Sequence, residues 1–410
     1  MNPQVLFYIL VGIIVAKFIF DTIINALNAK HFKDEIPTEL EGIYNEKEYL
    51  KSQKYKKTNY TFSLISSVFS LVLTLLFFFF DGFAFVDKLA RSISSNQIIV
   101  TLLFLGIIGF ASDVLSLPFS YYKTFVIEEK FGFNKTTKST FITDKLKGWL
   151  LAILIGGGIL ALITWFYELT THHFWLYAWA LISIFSIFMN MFYSKLIVPL
   201  FNKQKPLDDG ELKNAIYKFA SKIGFKIDNI FVIDGSKRST KANAYFSGFG
   251  AQKRITLFDT LVNDLTTEEI VAVLAHEVGH YKKKHIIYNL IVSVILTGFT
   301  LYIFSLLVGN TTLSQALGVK TASFHIGLIA FGILYSPISE ITSYFMNILS
   351  RKFEYQADNY AKENYSAEPL ISSLKKLTKN SLSNLTPHTL YVNIHYSHPT
   401  LLQRINNLKK

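Results

Sequence analysis

Seven stretches of this chain are apolar over the roughly 20 residues that a helix needs to cross a bilayer. They are Val5–Ile24, Phe62–Phe80, Ile98–Phe119, Trp149–Phe166, Phe174–Val198, Ile287–Val308 and Ile326–Leu349. Half the residues are hydrophobic, 37 are Phe and only 17% are charged, which excludes an ordinary soluble enzyme. The first stretch carries Lys17 and Asp21 and lacks a small-residue cleavage site, so it reads as a span rather than a removable leader. Inside hydrocarbon the backbone must satisfy its own polar groups, so the spans are predicted to be helices of a polytopic all-α membrane protein.

Loop charges orient the chain. After the first span come Lys30, Lys33, Lys47, Lys51, Lys54, Lys56 and Lys57, and after the third Lys123, Lys130, Lys135, Lys138, Lys145 and Lys147. The loops after spans two, four and six hold Lys88 and Arg91, no basic residue, and Lys320. By the positive-inside rule the C-terminus and the long segment from Tyr193 to His285 lie on the cytoplasmic side. The net charge of +12 follows from this topology and from anionic headgroups. No basic patch interleaved with aromatics supports a nucleic-acid partner. The organisation predicted is residues 1–192 with five spans, 193–286 as a cytoplasmic-side unit, 287–349 with two spans, and 350–410 as its C-terminal complement.

Ionisable groups within spans are costly and face a bundle interior or a water-filled cavity. Lys17 and Asp21 are an i,i+4 pair; Asp113 and Glu340 have no local partner; Asn190 adds a further polar group. Together they predict an aqueous interior. Pro118 and Pro337 predict kinks, and Gly156-Gly157-Gly158 predicts close helix contact or local flexibility.

Residues His276-Glu277-Val278-Gly279-His280 carry the chemistry. On a helix His276 and His280 share one face and converge on a single metal ion, while Glu277 stands where a carboxylate can take a proton from metal-bound water. Thr266 through Glu269 reads as a capping box, and Ile270–Ala275 is an apolar run that buries the helix it starts. The chain has no cysteine, so a third ligand must be His, Asp or Glu. Glu354 and Asp358 are again i and i+4: one, with Glu354 favoured, binds the metal while the other accepts the free N–H of a ligating histidine. The reading is a zinc-dependent hydrolase, one Zn2+ per chain, most simply of peptide bonds.

Before the metal helix, Asp208–Gly224 reads as an amphipathic helix and Asn229–Ile233 as a strand. Asn243–Phe246 and Ile255–Phe258 read as a hairpin around Gly248 and Gly250. Such a strand can take an extended peptide at its edge, with Asn243 bonding the peptide backbone, although a plain sheet strand fits the pattern equally well. His398, in a proline-marked turn followed by Arg404, offers an oxyanion donor or a simple surface turn.

These motifs, in this order and with the seven spans, resemble the type I CAAX prenyl endopeptidases over essentially the whole chain. The resemblance implies seven helices forming a chamber, capped by a mainly helical zinc protease domain that carries a small sheet edge. It implies His276, His280 and Glu354 as zinc ligands, Glu277 as general base and acid, and Asp358 orienting a ligand. It further implies His398 steadying the oxyanion with Arg404 nearby as a catalytic residue, and Asn243, Ala244 and Tyr245 holding substrate. The expected partners are the lipid bilayer and a peptide or protein substrate, prenylated or not. The expected location is a bacterial inner membrane or the endoplasmic reticulum, with the site facing the cytoplasm. Two other readings are a general membrane quality-control zinc protease without a prenyl requirement, and a non-enzymatic chamber with a vestigial metal site.

Overall fold

The structure, a computed structural model, describes residues 2–32, 42–227, 229–248 and 253–410. Lys33 of the basic loop and Gly250 of the expected turn lie outside the described residues. The long helices are α1 (Pro3–Ala29), α2 (Glu46–Phe79) and α3 (Gln97–Phe131, with a π-helical turn at Lys123–Glu128). Next come α4 (138–170, with a π-helical turn at Ala152–Gly157) and α5 (Phe174–Leu196). The remainder are α6 (Thr267–Lys282), α7 (His285–Leu307), α8 (Phe324–Asn364) and α9 (Leu401–Lys409).

Among the described residues six helical stretches, not the expected seven, are long and apolar enough to span a membrane. The expected fourth and fifth spans fall within one 64-residue stretch, Lys138–Phe201, because only a short 3-10 turn at Thr171–His173 separates α4 from α5. The two helices still pack side by side, with Phe166 5.6 Å from Tyr177 and Tyr167 5.3 Å from Phe174. Pro118 and Pro337 lie inside unbroken helices. Gly156, Gly157 and Gly158 make no close helix contact, since a Cβ on any of them would meet open space. They instead occupy the π-helical turn and the start of the α-helix that follows.

Charges inside the spans find partners from other helices. Lys17 on α1 lies 3.4 Å from Asp21 and also bonds Glu340 on α8. Asp113 on α3 accepts from Lys145 (2.8 Å) and Trp149 (2.9 Å) on α4. The side chains of Lys17, Asp21 and Glu340 remain 35–44% exposed. Against lipid that exposure would be expensive, so they face an aqueous interior. Part of it is a cavity of about 400 Å³ lined by Lys17, Asp21, Asn25, Ser63, Ser67 and Ser70.

The 41 residues of α8 extend about 62 Å at 1.5 Å per residue, roughly twice the hydrocarbon thickness. Its last turns therefore enter the soluble part. There four strands, β1 (Gln204–Pro206), β2 (Ile230–Ile233), β3 (Ala244–Ser247) and β4 (Arg254–Phe258), are ordered β1-β2-β4-β3. The expected pairing of β3 with β4 is present and antiparallel, and β3 is one of the two edge strands, with β1 at the other edge. The expected amphipathic helix is Glu211–Lys222. Ile216, Phe219, Ile255, Leu257 and Leu274 bury one core between the sheet, this helix and α6. Two ion pairs fasten the segment ahead of β3 to the membrane helices: Arg238 forks onto Asp144 at 2.7 and 2.8 Å, and Lys241 reaches Glu128 at 2.9 Å.

Candidate metal centre

The capping box at Thr266 forms as the sequence predicts. Thr266 Oγ1 accepts the Glu269 N–H at 3.3 Å, and Glu269 Oε2 accepts the Thr266 N–H at 2.8 Å. Burial alone would raise the Glu269 carboxyl. Hydrogen bonds from Lys376, Ser372 and the Thr266 backbone outweigh that and hold it below the usual carboxylate range. Through Lys376 and Ser372 the start of α6 is tied to the helix Ala367–Asn380.

One turn before its end, α6 presses against α8. A Cβ on Gly279 would stand 3.0 Å from Ala357 Cα and 3.1 Å from Ala357 O, both backbone atoms. Glycine inside the pentapeptide is thus a packing requirement. Gly279→Val must push the two helices apart, at a cost of about 1–3 kcal/mol from overpacking alone. Thermal unfolding and metal analysis of the purified variant should show lower stability and metal well below one ion per chain. Retention of both at wild-type values would refute this account of the contact.

That contact brings three donors together. His276 and His280 on α6 and Glu354 on α8 offer ligand atoms that all lie within 4.8 Å of one another, a group that could hold a metal ion. The two Nε2 atoms are 3.2 Å apart; Glu354 Oε1 is 3.2 Å from His280 Nε2, and Glu354 Oε2 is 3.6 Å from His276 Nε2. Glu354 Oε2 is buried with no hydrogen-bond partner among the described residues. A buried carboxylate oxygen without a hydrogen bond is costly; Arg404 Nη1 at 3.6 Å offsets part of that cost, and a metal cation in contact with the oxygen would offset the rest.

Behind the triad the histidines are held from their other nitrogens. His276 Nδ1–H donates to Asp358 Oδ1 at 2.9 Å. Arg404 on α9 grips the same carboxylate, Nε to Oδ2 at 2.9 Å and Nη2 to Oδ1 at 2.5 Å. Burial would lower the pKa of Arg404, but the Asp358 hydrogen bonds and the charges of Asp358 and Glu354 reverse that and raise it. Arg404 therefore stands behind Asp358, with Nη1 3.6 Å from Glu354 Oε2.

The open face holds the other groups. Glu277 is half-buried and makes no hydrogen bond among the described residues. His398 Nε2 lies 3.4 Å from Glu354 Oε1, with the side chain 63% exposed and Nδ1 2.9 Å from Ser397 Oγ. Its turn is fastened to α8: Arg351 donates to the Tyr396 carbonyl at 2.5 Å, and Asn347 to the Ile394 carbonyl at 2.7 Å. Asn243 is exposed at the entrance to β3, where Oδ1 accepts the Ala244 N–H at 2.9 Å and the carbonyl accepts the Phe258 N–H at 3.0 Å. Tyr245 Oη lies 3.4 Å from Ser194 Oγ on α5, so β3 is fixed to the membrane helices as well as lying beside α6.

Three residues escaped the sequence reading: Arg351, His285 and Gln356. His280 Nδ1 lies 3.0 Å from His285 Nδ1, whose Nε2 lies 2.8 Å from Gln356 Oε1. Position 285 follows 280 by five residues and leaves the helix face, so only the chain reversal at Lys284 (φ 61°) returns it.

Fold and site together define an integral, multi-pass membrane metalloendopeptidase. Residues 25–203 match the family described as CAAX prenyl protease N-terminal, five membrane helices, and residues 206–410 match peptidase family M48. The CAAX prenyl protease 1 of Saccharomyces cerevisiae is 36% identical over 427 residues, covering 98% of this chain and 94% of the relative. The CAAX prenyl protease 1 homolog of Mus musculus is 34% identical and that of Homo sapiens 33% identical, each alignment covering 91% of this chain and 88% of the relative. The crystal structure of S. mikatae Ste24p superposes with a TM-score of 0.94 at 36% identity, covering 99% of both chains. The chain belongs to peptidase family M48 and, within it, to the CAAX prenyl proteases.

Proposed function

We propose that this protein is a zinc endopeptidase that cleaves near the C-terminus of prenylated CAAX-type proteins, with its site on the cytoplasmic side of the membrane. The observation that carries the metal reading is the orphaned Glu354 Oε2 beside two imidazole Nε2 atoms. Two nitrogens bound to tetrahedral zinc at about 2.0–2.1 Å are about 3.3 Å apart. The 3.2 Å between His276 and His280 fits that spacing. The names of the relatives support the substrate class, and the lysine-rich loops support the orientation.

When bound, zinc would lower the pKa of a water molecule and polarise the scissile carbonyl. Glu277, free of hydrogen bonds, takes the proton and then delivers it to the leaving amine. His398 donates from the open face to the oxygen that gains charge. The peptide adds to the edge of β3. Asn243 spends its carbonyl on Phe258 in an antiparallel ladder, so the alternation turns the backbone groups of Ala244 and Phe246 outward to the peptide. The Asn243 amide stands free for a further bond to substrate, and Tyr245 holds the strand in place.

The test uses detergent-purified protein with a farnesylated CAAX peptide and its unprenylated twin, with and without a zinc chelator. The expected result is chelator-sensitive cleavage of the prenylated peptide, with much slower cleavage of the twin. Equal cleavage of both would move the role to general membrane quality control. Chelator-resistant cleavage would defeat the zinc reading.

A further inference from the structure

Two histidines hold the candidate metal, and they are supported in opposite ways. His276 leans on an anion, Asp358, neutralised by Arg404. Among the described residues His280 has no carboxylate on its Nδ1, which faces a third imidazole. His285 is 2% exposed and lies flat on Phe353, rings 4.1 Å apart and 8° from parallel. Its other nitrogen meets Gln356 Oε1 at 2.8 Å, and Gln356 lies two residues beyond Glu354 on the same helix.

The proton arrangement along this line follows from donor and acceptor chemistry. A carboxamide oxygen only accepts, so His285 must carry its proton on Nε2 to donate to Gln356. Neutral His285 then offers a lone pair at Nδ1. His280 must in turn carry its proton on Nδ1, which leaves its Nε2 lone pair directed at the triad. If the Gln356 oxygen were a donor, the whole chain would reverse and the His280 Nε2 would hold a proton where a metal needs a lone pair.

We propose that Gln356 and His285 are positioning residues for the metal: an uncharged relay that sets the tautomer and ring angle of His280. The inference rests on the reading of His276, His280 and Glu354 as zinc ligands. It assigns a role to Gln356 that depends on acceptor chemistry and not on size or packing. Gln356 is only partly buried, so it can be changed with little effect on the core.

The test compares Gln356→Glu, Gln356→Met and Gln356→Lys in the full-length protein, with zinc affinity measured by competition against a chelator and folding checked by thermal unfolding. Glu keeps an acceptor and should hold zinc within about threefold of wild type, while Met and Lys should weaken it about 10- to 100-fold, as outer-shell partners of ligating histidines do. Cobalt substitution gives a second readout: its visible absorption should match wild type in Gln356→Glu and change in Gln356→Lys. Wild-type affinity in Met and Lys, at unchanged thermal stability, would overturn the relay and leave the metal site standing. Equal losses in all three would also overturn it, since acceptor chemistry would then be irrelevant. A wild-type protein that binds no zinc would overturn the metal reading itself, and the relay with it.

Discussion

Glu277→Gln is expected to lower kcat by about 100- to 10,000-fold while one zinc ion per chain stays bound, because proton transfer by a positioned side chain contributes a factor of that size. Glutamine has the same shape and cannot accept the proton. Glu277 lies between the two ligand-bearing positions of α6 but is not one of the converging donors, so the change leaves the metal group intact. Half-burial leaves it partly open to solvent, as a group that exchanges a proton with water needs. The measurement is kcat on the prenylated peptide together with zinc analysis of the same preparation. A variant as fast as wild type would remove Glu277 from the reaction. A slow variant that had lost its zinc would make it a structural residue.

The second large effect lies behind the metal. The Asp358 side chain is fully buried and the Arg404 side chain is 12% exposed, and Arg404 supplies two of the hydrogen bonds that keep the carboxylate satisfied. Arg404→Ala strands that charge. Breaking a buried pair from one side typically costs about 3–5 kcal/mol, because a burial penalty remains with no attraction to offset it. We expect a marked fall in thermal stability and weakened zinc binding, since Asp358 also steadies His276. In an Asp358→Asn background no charge is left stranded, so the same Arg404→Ala change should cost much less. Equal costs in the two backgrounds would show that the pair is not coupled. Arg404→Lys should fall between, because it restores charge without the fork.

Much of the site was legible in the chain because its cues are local. The i,i+4 spacings of His276 with His280 and of Glu354 with Asp358, and the capping box at Thr266, follow from helix geometry and reappear unchanged in the structure. Strand alternation placed β3 and β4 for the same reason. Where cues are not local, the sequence is silent on the partner. The local Lys17–Asp21 pair forms as its spacing predicts, and Glu340, 323 residues away, joins it only through the fold. The chain puts Arg404 six residues after His398, and only the fold of α9 brings it onto Asp358. Hydropathy separates the fourth and fifth spans, and only the structure shows that a short 3-10 turn joins them within one helical stretch while they pack side by side.

The sequence by itself determined that the chain lies in a membrane, that α6 carries two metal-ligand candidates and a glutamate between them, and that α8 carries a third ligand candidate. Apolar length and helical periodicity are properties of neighbouring residues, so no fold is needed to read them. Only the tertiary structure decided which atoms meet: Glu354 with His276 and His280, Arg404 with Asp358, Gln356 with His285 and thereby with His280. Those contacts depend on α6 and α8 touching at Gly279 and on the chain reversing at Lys284. Packing sets both, and packing joins residues that the chain keeps far apart.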